Sequence, residues 1–592
     1  MMVAEILFPM ALPGTLSYRI SEKEGATLSV GTFVRAPVGN RTYLGIVHAI
    51  HASCDTSHLP NLKFITSVES HLIPVSPKRI ELWNWISEYY MCCLGEVMKA
   101  ATITGLPIRH TPASEKQVAD CDLSHIALST LSPQQSEAFQ QIQECLVPSR
   151  VVLLQSVRKK TEIYHHLLKQ ALISGKSVLF LLPEIGVSEQ FYQQLKSLFG
   201  ARAYLFHSGL TSVQRRNMLQ EMAQQTEPII VTGLRSSLLL IDLEKFDLII
   251  VDEEQDVSYK QTDPAPRFHA RDLAVVAGHL YRIPILLGTS CASLESEYNI
   301  RTGKYLRIKI DESDIVTPHT EVIDTSRLYK KKQMEGMISH PLLQALTQNL
   351  TQQKQALLFC RRCALLQEQL QSLIPFARIA RLDEDHTPAA LRSLLQKFAQ
   401  KEIDLLIGTQ TIHKGLSFNN IGVVGILEAD KQLSRHDFRA HERAYQIFIM
   451  LSHRMESPPL IFLQTAQADH AFFSHFTHGD NENFILEQLQ ERKEFGYPPF
   501  TRIIALRFKH RAPQISLEAA QQCANELTKT GITHISGPFS AYTPNAKLHT
   551  QLLWIHLPRH LDGNALKKRL YEKITTYSFP KGGVIQIDVD PY

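Results

Sequence analysis

At 592 residues, 44% of them apolar, the chain is long enough to bury several separate cores, and a formal net charge of +4 is too small to require or exclude a nucleic-acid partner. Nine scattered cysteines offer no disulfide framework, and the C-x-x-C at Cys360–Cys363 has no second pair, which argues against a secreted disulfide scaffold and against a structural zinc site. No apolar run approaches a membrane span and no basic segment precedes the first apolar residues, so a soluble, cytoplasmic protein with no membrane partner is expected.

Residues 1–66 carry short β-like runs, Val3–Phe8, Thr32–Ala36 and Tyr43–Ile50, punctuated by PG, EG, VG and GN. The spacing then predicts a helix over Ile80–Ala101, with Trp83, Trp85, Tyr89, Tyr90 and Met91 as a bulky core stripe. A polar stretch, 107–130, reads as a linker. From 131 strand-like runs alternate with helical ones: VVLLQ, SVLFLLPE, PIIVTG, LIIVDEE and IPILLGT, then ALLFC, ARIARLDED, DLLIGTQ, VVGILEAD and LIFLQT. Such alternation predicts parallel sheets with right-handed crossovers, here in two successive series. The tail from about 480 returns to α+β character.

The densest chemistry lies at Leu248–Asp256, LIIVDEEQD, an apolar strand that ends in three consecutive acids. A buried parallel strand delivering carboxylates at its C-terminal end is where a doubly wound α/β domain holds a nucleotide's metal ion. A phosphate-binding loop should lie upstream. Such a loop needs glycines, because its backbone must approach the phosphates and turn successive N–H groups toward them. Between VVLLQ and TEIY, however, the chain reads Ser156-Val157-Arg158-Lys159-Lys160, without a glycine. Further on, the aromatic-rich segment from Tyr259 to Arg271 interleaves cations with π faces, a combination suited to single-stranded nucleic acid, with a buried hairpin as the alternative.

Several blocks together resemble the bacterial replication-restart helicases, the PriA (primosomal protein N′) family of superfamily 2. They are LSPQQ (131–135), LPEIGVSEQ (182–190), FHSGL (206–210), LRSS (234–237), VDEEQDVSYKQTDPAPRFHARDLAVV (251–276), ISHPLL (338–343), IGTQTIHKGLSFNNIGVVGILEAD (407–430), FRAHERAYQ (438–446), ERKEFGYPPF (491–500) and IDVDPY (587–592). The resemblance implies two RecA-like lobes with parallel sheets, 131–315 and 316–475. A β-rich domain binding DNA 3′ ends would occupy 1–106, followed by the linker 107–130, and an α+β domain 476–592. It further implies a nucleotide site at Gln135, Lys160 and Thr161, with Asp252, Glu253 and Arg454 as catalytic groups and with ATP and Mg2+ as cofactors if the motor is active. DNA contacts are implied at Tyr18, Gly39 and Lys63, at Tyr259, Lys260, Arg267, Phe268, His269 and Arg271, and at Thr409, Gln410 and Lys414.

The chain departs from the family pattern in a connected way. The phosphate loop is short and glycine-free. Gln255 replaces the histidine of DEEH, and Ser457 replaces one arginine of the finger segment. LLFCRRC runs straight into ALLQEQL where the family inserts an eight-cysteine zinc module, so no zinc is expected, and 24 residues, 107–130, are too few for its winged helix. The expectation is a restart-type protein that binds branched or single-stranded DNA, together with other primosome or replication proteins, with ATP-driven unwinding lost or weak. Two alternatives stand beside it: an active 3′→5′ DNA helicase, and a protein-interaction scaffold without DNA specificity.

Overall fold

The structure, a computed structural model, describes residues 2–21, 28–51, 62–103, 123–310, 318–382, 388–409, 420–433, 437–453, 455, 458–529, 531–532, 534–541, 547–559, 563–577, 579–580 and 582–592. The N-terminal strands β1 (Met2–Leu7), β2 (Leu16–Ile20), β3 (Phe33–Val38), β4 (Arg41–His51) and β5 (Ser67–Val68) form one antiparallel sheet, ordered β2-β1-β4-β3-β5. The single helix expected over Ile80–Ala101 is instead two, α1 (Pro77–Tyr90) and α2 (Leu94–Ala101). Met91 takes the left-handed conformation and returns its N–H to Ser87 O, which ends the first helix. Trp83, Tyr90 and Met91 are core residues, as the apolar stripe predicts.

The first parallel sheet is built from α3 (Pro133–Cys145), β6 (Val151–Gln155), α4 (Lys160–Ile173), β7 (Val178–Leu181), α5 (Ile185–Phe199), β8 (Ala203–Phe206), α6 (Ser212–Gln224), β9 (Ile230–Gly233), β10 (Leu248–Val251), α7 (Ala270–Tyr281), β11 (Ile285–Thr289), α8 (Leu294–Arg301) and β12 (Tyr305–Lys309). Its order is β12-β6-β11-β10-β7-β9-β8. β7, β9 and β10 are buried along their whole length, because helices cover both faces of a parallel sheet and each strand can be a continuous Val/Ile/Leu run.

The second parallel sheet follows from β13 (Thr320–Asp324), α9 (Thr325–Lys330), a small hairpin of β14 (Met334–Glu335) and β15 (Ile338–Ser339), α10 (His340–Thr351), β16 (Gln355–Phe359), α11 (Cys363–Leu373), β17 (Ile379–Leu382), α12 (Pro388–Ala399), β18 (Leu405–Gly408), β19 (Ile421–Ile426), α13 (Ala440–His453) and β20 (Leu460–Thr465). Its order, β13-β20-β19-β16-β18-β17, repeats the β6-β11-β10-β7-β9-β8 order of the first sheet. The registers agree as well. Val251 faces Leu287 and Thr289 faces Gln155 in the first sheet, while Ile426 faces Leu463 and Thr465 faces Asp324 in the second.

After α14 (Ala471–Thr477) and α15 (Asn481–Glu494), the chain closes with β21 (Thr501–His510), α16 (Pro513–Lys529), β22 (Ile535–Ala541), β23 (His549–Pro558), α17 (Gly563–Thr576) and β24 (Val584–Val589), a βαββαβ unit ordered β22-β23-β21-β24. The fold is thus the expected α/β class: two parallel-sheet lobes, a β-rich N-terminal unit and an α+β C-terminal unit. No helix among the described residues is long and apolar enough to cross a membrane.

Candidate nucleotide and DNA sites

β10 carries the acids DEE to the carboxyl edge of the first sheet, and the side chains there close on one another. Lys160, the first residue of α4, places its ammonium 2.9 Å from Glu253 Oε1 and 3.2 Å from Asp252 Oδ1, with all three side chains largely buried. Glu253 sits in the left-handed region at φ 49°, a strained place for a residue with a Cβ. Its carboxylate holds it there, accepting from Ser290 Oγ (2.8 Å), Ser290 N (3.3 Å) and Gln255 Nε2 (2.7 Å) besides Lys160. Gln255 in turn accepts from Thr289 Oγ1 at 2.7 Å, so the residue standing for the family's histidine is tied inside the same cluster. Tyr164 donates to Asp252 Oδ1 at 2.7 Å, and burial, reinforced by that carboxylate, pushes its phenol well above the usual range. Gly288 is obligatory here. A Cβ would stand 1.8 Å from the Tyr164 hydroxyl and 2.5 Å from Asp252 Oδ1.

The loop feeding this site does not form a cradle. Residues 156–160 contain no glycine and none lies at positive φ, so their amides cannot alternate into an anion nest. Ser156 Oγ accepts from Lys159 N at 2.9 Å, and Val157 packs against the apolar core of the second lobe. Gln135 is buried and committed: it donates to Lys159 O and Glu162 Oε2, both at 3.1 Å, and accepts from Ser132 N in the capping box that starts α3. Thr161 is exposed beside Lys160. The structure therefore gathers Lys160, Asp252, Glu253 and, through Lys159, Gln135. Arg454 and Ser457 lie outside the described residues, as do Gln410 and Lys414, while Thr409 follows β18 half-buried.

The segment from Tyr259 to Arg271 requires a correction. The expectation of an open stacking surface fails on burial: Tyr259 and Phe268 have no exposed area, and Lys260, His269 and Arg271 are buried with them. The polar ends of Tyr259, Lys260 and Arg271 are already satisfied, while both ring nitrogens of His269 are buried without a hydrogen-bond partner. Tyr259 donates to Asp252 O (2.6 Å). Lys260 donates to Arg267 O and Val589 O (both 2.7 Å) and pairs with Asp588 (2.9 Å), and Arg271 pairs with Glu254 (2.9 Å). Arg267 is bound to Asp263 and Ile587 O. Burial, with Arg271 and Lys260 nearby, pushes the His269 imidazole well below its usual range. The hairpin is a wedge between the first lobe, α1 and the C-terminal sheet, and the alternative reading of a buried hairpin is the one that the geometry fits.

Tyr18 is corrected likewise: its ring lies in the N-terminal core against Phe8, and only its hydroxyl is used, donating to Pro37 O at 2.9 Å. Gly39, at φ 62° in the β3–β4 turn, and Lys63 do share an exposed surface, the lysine donating to Gly39 O at 3.1 Å.

Sequence reasoning missed the joint between the lobes. Leu294 N donates to Glu442 Oε1 (2.8 Å), and Glu295 accepts from Arg439 (2.7 Å). Arg492 reaches Glu442 (2.6 Å) and Glu295 (3.4 Å). Burial works against the Glu295 charge, but Arg439, Arg492 and Arg271 outweigh it and hold the carboxyl far below its usual range. Tyr592 closes the cluster, its ring 4.4 Å below the Arg439 guanidinium and its hydroxyl donating to Gln255 O at 3.0 Å. Arg439, Glu442, Arg492 and Tyr592 fall inside blocks already singled out, FRAHERAYQ, ERKEFGYPPF and IDVDPY, while Leu294 and Glu295 fall in none, and no local pattern assigned any of them this role.

Two parallel sheets of matching order, with strand-end carboxylates facing the joint between them, define a helicase-type protein. Models of known families agree: the DEAD/DEAH box helicase model matches residues 132–294 and the helicase conserved C-terminal domain matches 340–448. At the ends, the 3′DNA-binding domain (3′BD) matches 5–102 and the primosomal protein N C-terminal domain matches 493–592. Among curated relatives, the replication restart protein PriA of Haemophilus influenzae is 30% identical over 78% of this chain and 72% of its own length. That of Rickettsia prowazekii is 27% identical over 100% and 99%, and that of Helicobacter pylori strain J99 29% over 85% and 87%. The chain belongs to the PriA family of replication restart proteins, with DNA-binding and helicase domains.

Proposed function

We propose that this PriA-family protein binds branched or single-stranded DNA, with ATP-driven unwinding lost or weak. The observation that carries the reading is the buried Lys160–Asp252–Glu253 cluster. Phosphoryl transfer relies on positioning the phosphates and neutralising developing charge. Here the lysine that would meet the β- and γ-phosphates is bound to the carboxylates that would hold magnesium and activate water. The loop has no nest, and Val157 occupies the joint with the second lobe. As arranged, these residues do not fit Mg2+ and a triphosphate.

Support for DNA as the partner comes from the N-terminal unit, where Gly39 and Lys63 are exposed together on a domain similar to a 3′DNA-binding domain. The expectation that the DNA is branched or single-stranded, and that other primosome or replication proteins bind, follows from the family. The deciding experiment is DNA-stimulated ATP hydrolysis with fork DNA and Mg2+, wild type against Asp252→Asn/Glu253→Gln. The expected result is a background rate in both. A robust wild-type rate that the double variant abolishes would establish the active-helicase reading instead.

A further inference from the structure

The second lobe repeats the architecture of the first, and its strand ends correspond at several positions. Glu253 stands two residues beyond β10 at φ 49°; Glu428 stands two residues beyond β19 at φ 53°. Each of these left-handed glutamates is held by cations, Lys160 in the first lobe, Arg362 and Lys431 in the second. Gln255 bonds to Thr289, the last residue of β11, at 2.7 Å; its counterpart Asp430 accepts from Ala466 N, one residue past the end of β20, at 3.0 Å. Where the short loop to Lys160 leaves β6, Thr325 and Ser326 leave β13 directly into α9.

The two places differ in what fills them. In the first lobe Lys160 bridges the carboxylates. In the second, Arg362 and Lys431 pair with Glu428 but keep about half of each side chain exposed, whereas Lys160 is buried, and a cavity of about 480 Å3 stays open between the strand ends. That volume lies within the range of small-molecule sites, roughly 300–1,000 Å3. It also sits where open α/β sheets bind ligands, at the carboxyl edge where the chain leaves β16 and β19 in opposite directions. Three cations, Lys330, Arg362 and Lys431, line it against two carboxylates, Glu428 and Asp430. The ring of Tyr329, 77% exposed, stands at its rim, with the Ser326 hydroxyl beside it.

We propose that this cavity is a binding site for a nucleoside phosphate, separate from the helicase nucleotide site. The phosphate meets Lys330, Arg362 and Lys431, the base lies on Tyr329, and Ser326 meets the sugar. A bare anion would use the cations but leave the aromatic rim and most of the volume unused, which is why a nucleoside carrier is the better fit.

The test is titration of the full chain with methylanthraniloyl-ADP, followed by photo-crosslinking with 8-azido-ADP and peptide mapping. Saturable binding is expected, with the label in residues of α9 and the hairpin after it. Tyr329→Ala and Arg362→Ala should each weaken binding by about tenfold, one lost stacking or charged contact. Tyr329 is exposed, so its truncation leaves the core intact. Absence of saturable binding would overturn the proposal without touching the reading of the first lobe. A label near residues 156–165 would overturn it and count against the lost-ATPase reading as well.

Discussion

Replacing Lys160 with alanine separates a structural lysine from a phosphate-binding one. In a working phosphate loop the lysine waits for its ligand, and truncating it costs activity but little stability. Here it lies 2.9 Å from Glu253 and 3.2 Å from Asp252, with about a tenth of each partner's side chain or a little more exposed. At an effective dielectric constant of about 20, each contact is worth roughly 5 kcal/mol of gross attraction, most of it cancelled by desolvation. What counts is the uncompensated charge left behind, about 3–5 kcal/mol when one partner of a buried pair is removed. Glu253 keeps Ser290 and Gln255, and Asp252 keeps Tyr164, so the expected cost is the lower end, about 3 kcal/mol. Because a chain of this size need not unfold in one step, the readout is native-state hydrogen exchange on the amides of β10 and β11, which reports local opening free energy. A double-mutant cycle of Lys160→Met with Glu253→Gln should show coupling above about 1.5 kcal/mol. Protection within about 0.5 kcal/mol of wild type in Lys160→Ala, with additive effects in the cycle, would refute the locked cluster and revive the nucleotide-competent reading.

Phe268→Ala is expected to cost about 3–5 kcal/mol through the cavity it leaves, while the folded fraction binds single-stranded DNA as wild type does; lost DNA binding with unchanged stability would return the hairpin to the DNA surface. Lys63→Ala should weaken binding to 3′-ended DNA and reduce the slope of log affinity against log salt by about one, and an unchanged slope would remove Lys63 from the phosphate path. Burial pushes the Lys567 ammonium down to about 8 from 10.5, beneath the Tyr89 ring and against Tyr89 O. Below about pH 8 both folded and unfolded chains hold that proton and the fold carries the cost; between 8 and 10.5 only the unfolded chain holds it, so stability rises with pH by up to about 3 kcal/mol. Lys567→Met should flatten that rise in unfolding midpoints measured from about pH 7.5 to 10, and parallel curves for the two proteins would exclude Lys567 as its source.

Much of the molecule was legible in sequence because its signals are local. Continuous β-branched runs such as LIIV and VVGI read as strands buried on both faces, and their alternation with helices points to parallel sheets. The missing glycines of Ser156–Lys160 are equally plain, since a nest depends on backbone freedom that the residue types themselves grant or deny. Less visible were short or edge elements, among them β2, β12 and β13, where five residues of mixed polarity carry too little periodicity to stand out. Met91, whose left-handed turn divides α1 from α2, carried no warning, because a methionine seldom ends a helix that way.

What the sequence by itself determined, then, is the α/β class, the place of the DEE acids and the family, all of which rest on residue type and spacing along the chain. Only the tertiary structure decided what those residues face. Interleaved cations and aromatics read identically whether they line an open groove or plug an interface, and packing of α1 and β24 around Tyr259, Lys260 and Phe268 made them a plug. A lysine before a helix reads identically whether it waits for phosphate or is already neutralised, and the fold of β10 against α4 brought Glu253 to Lys160 across 93 residues. Burial and pairing between distant segments are properties of the folded chain, because they depend on which surfaces the core brings together, and no window of sequence contains both partners.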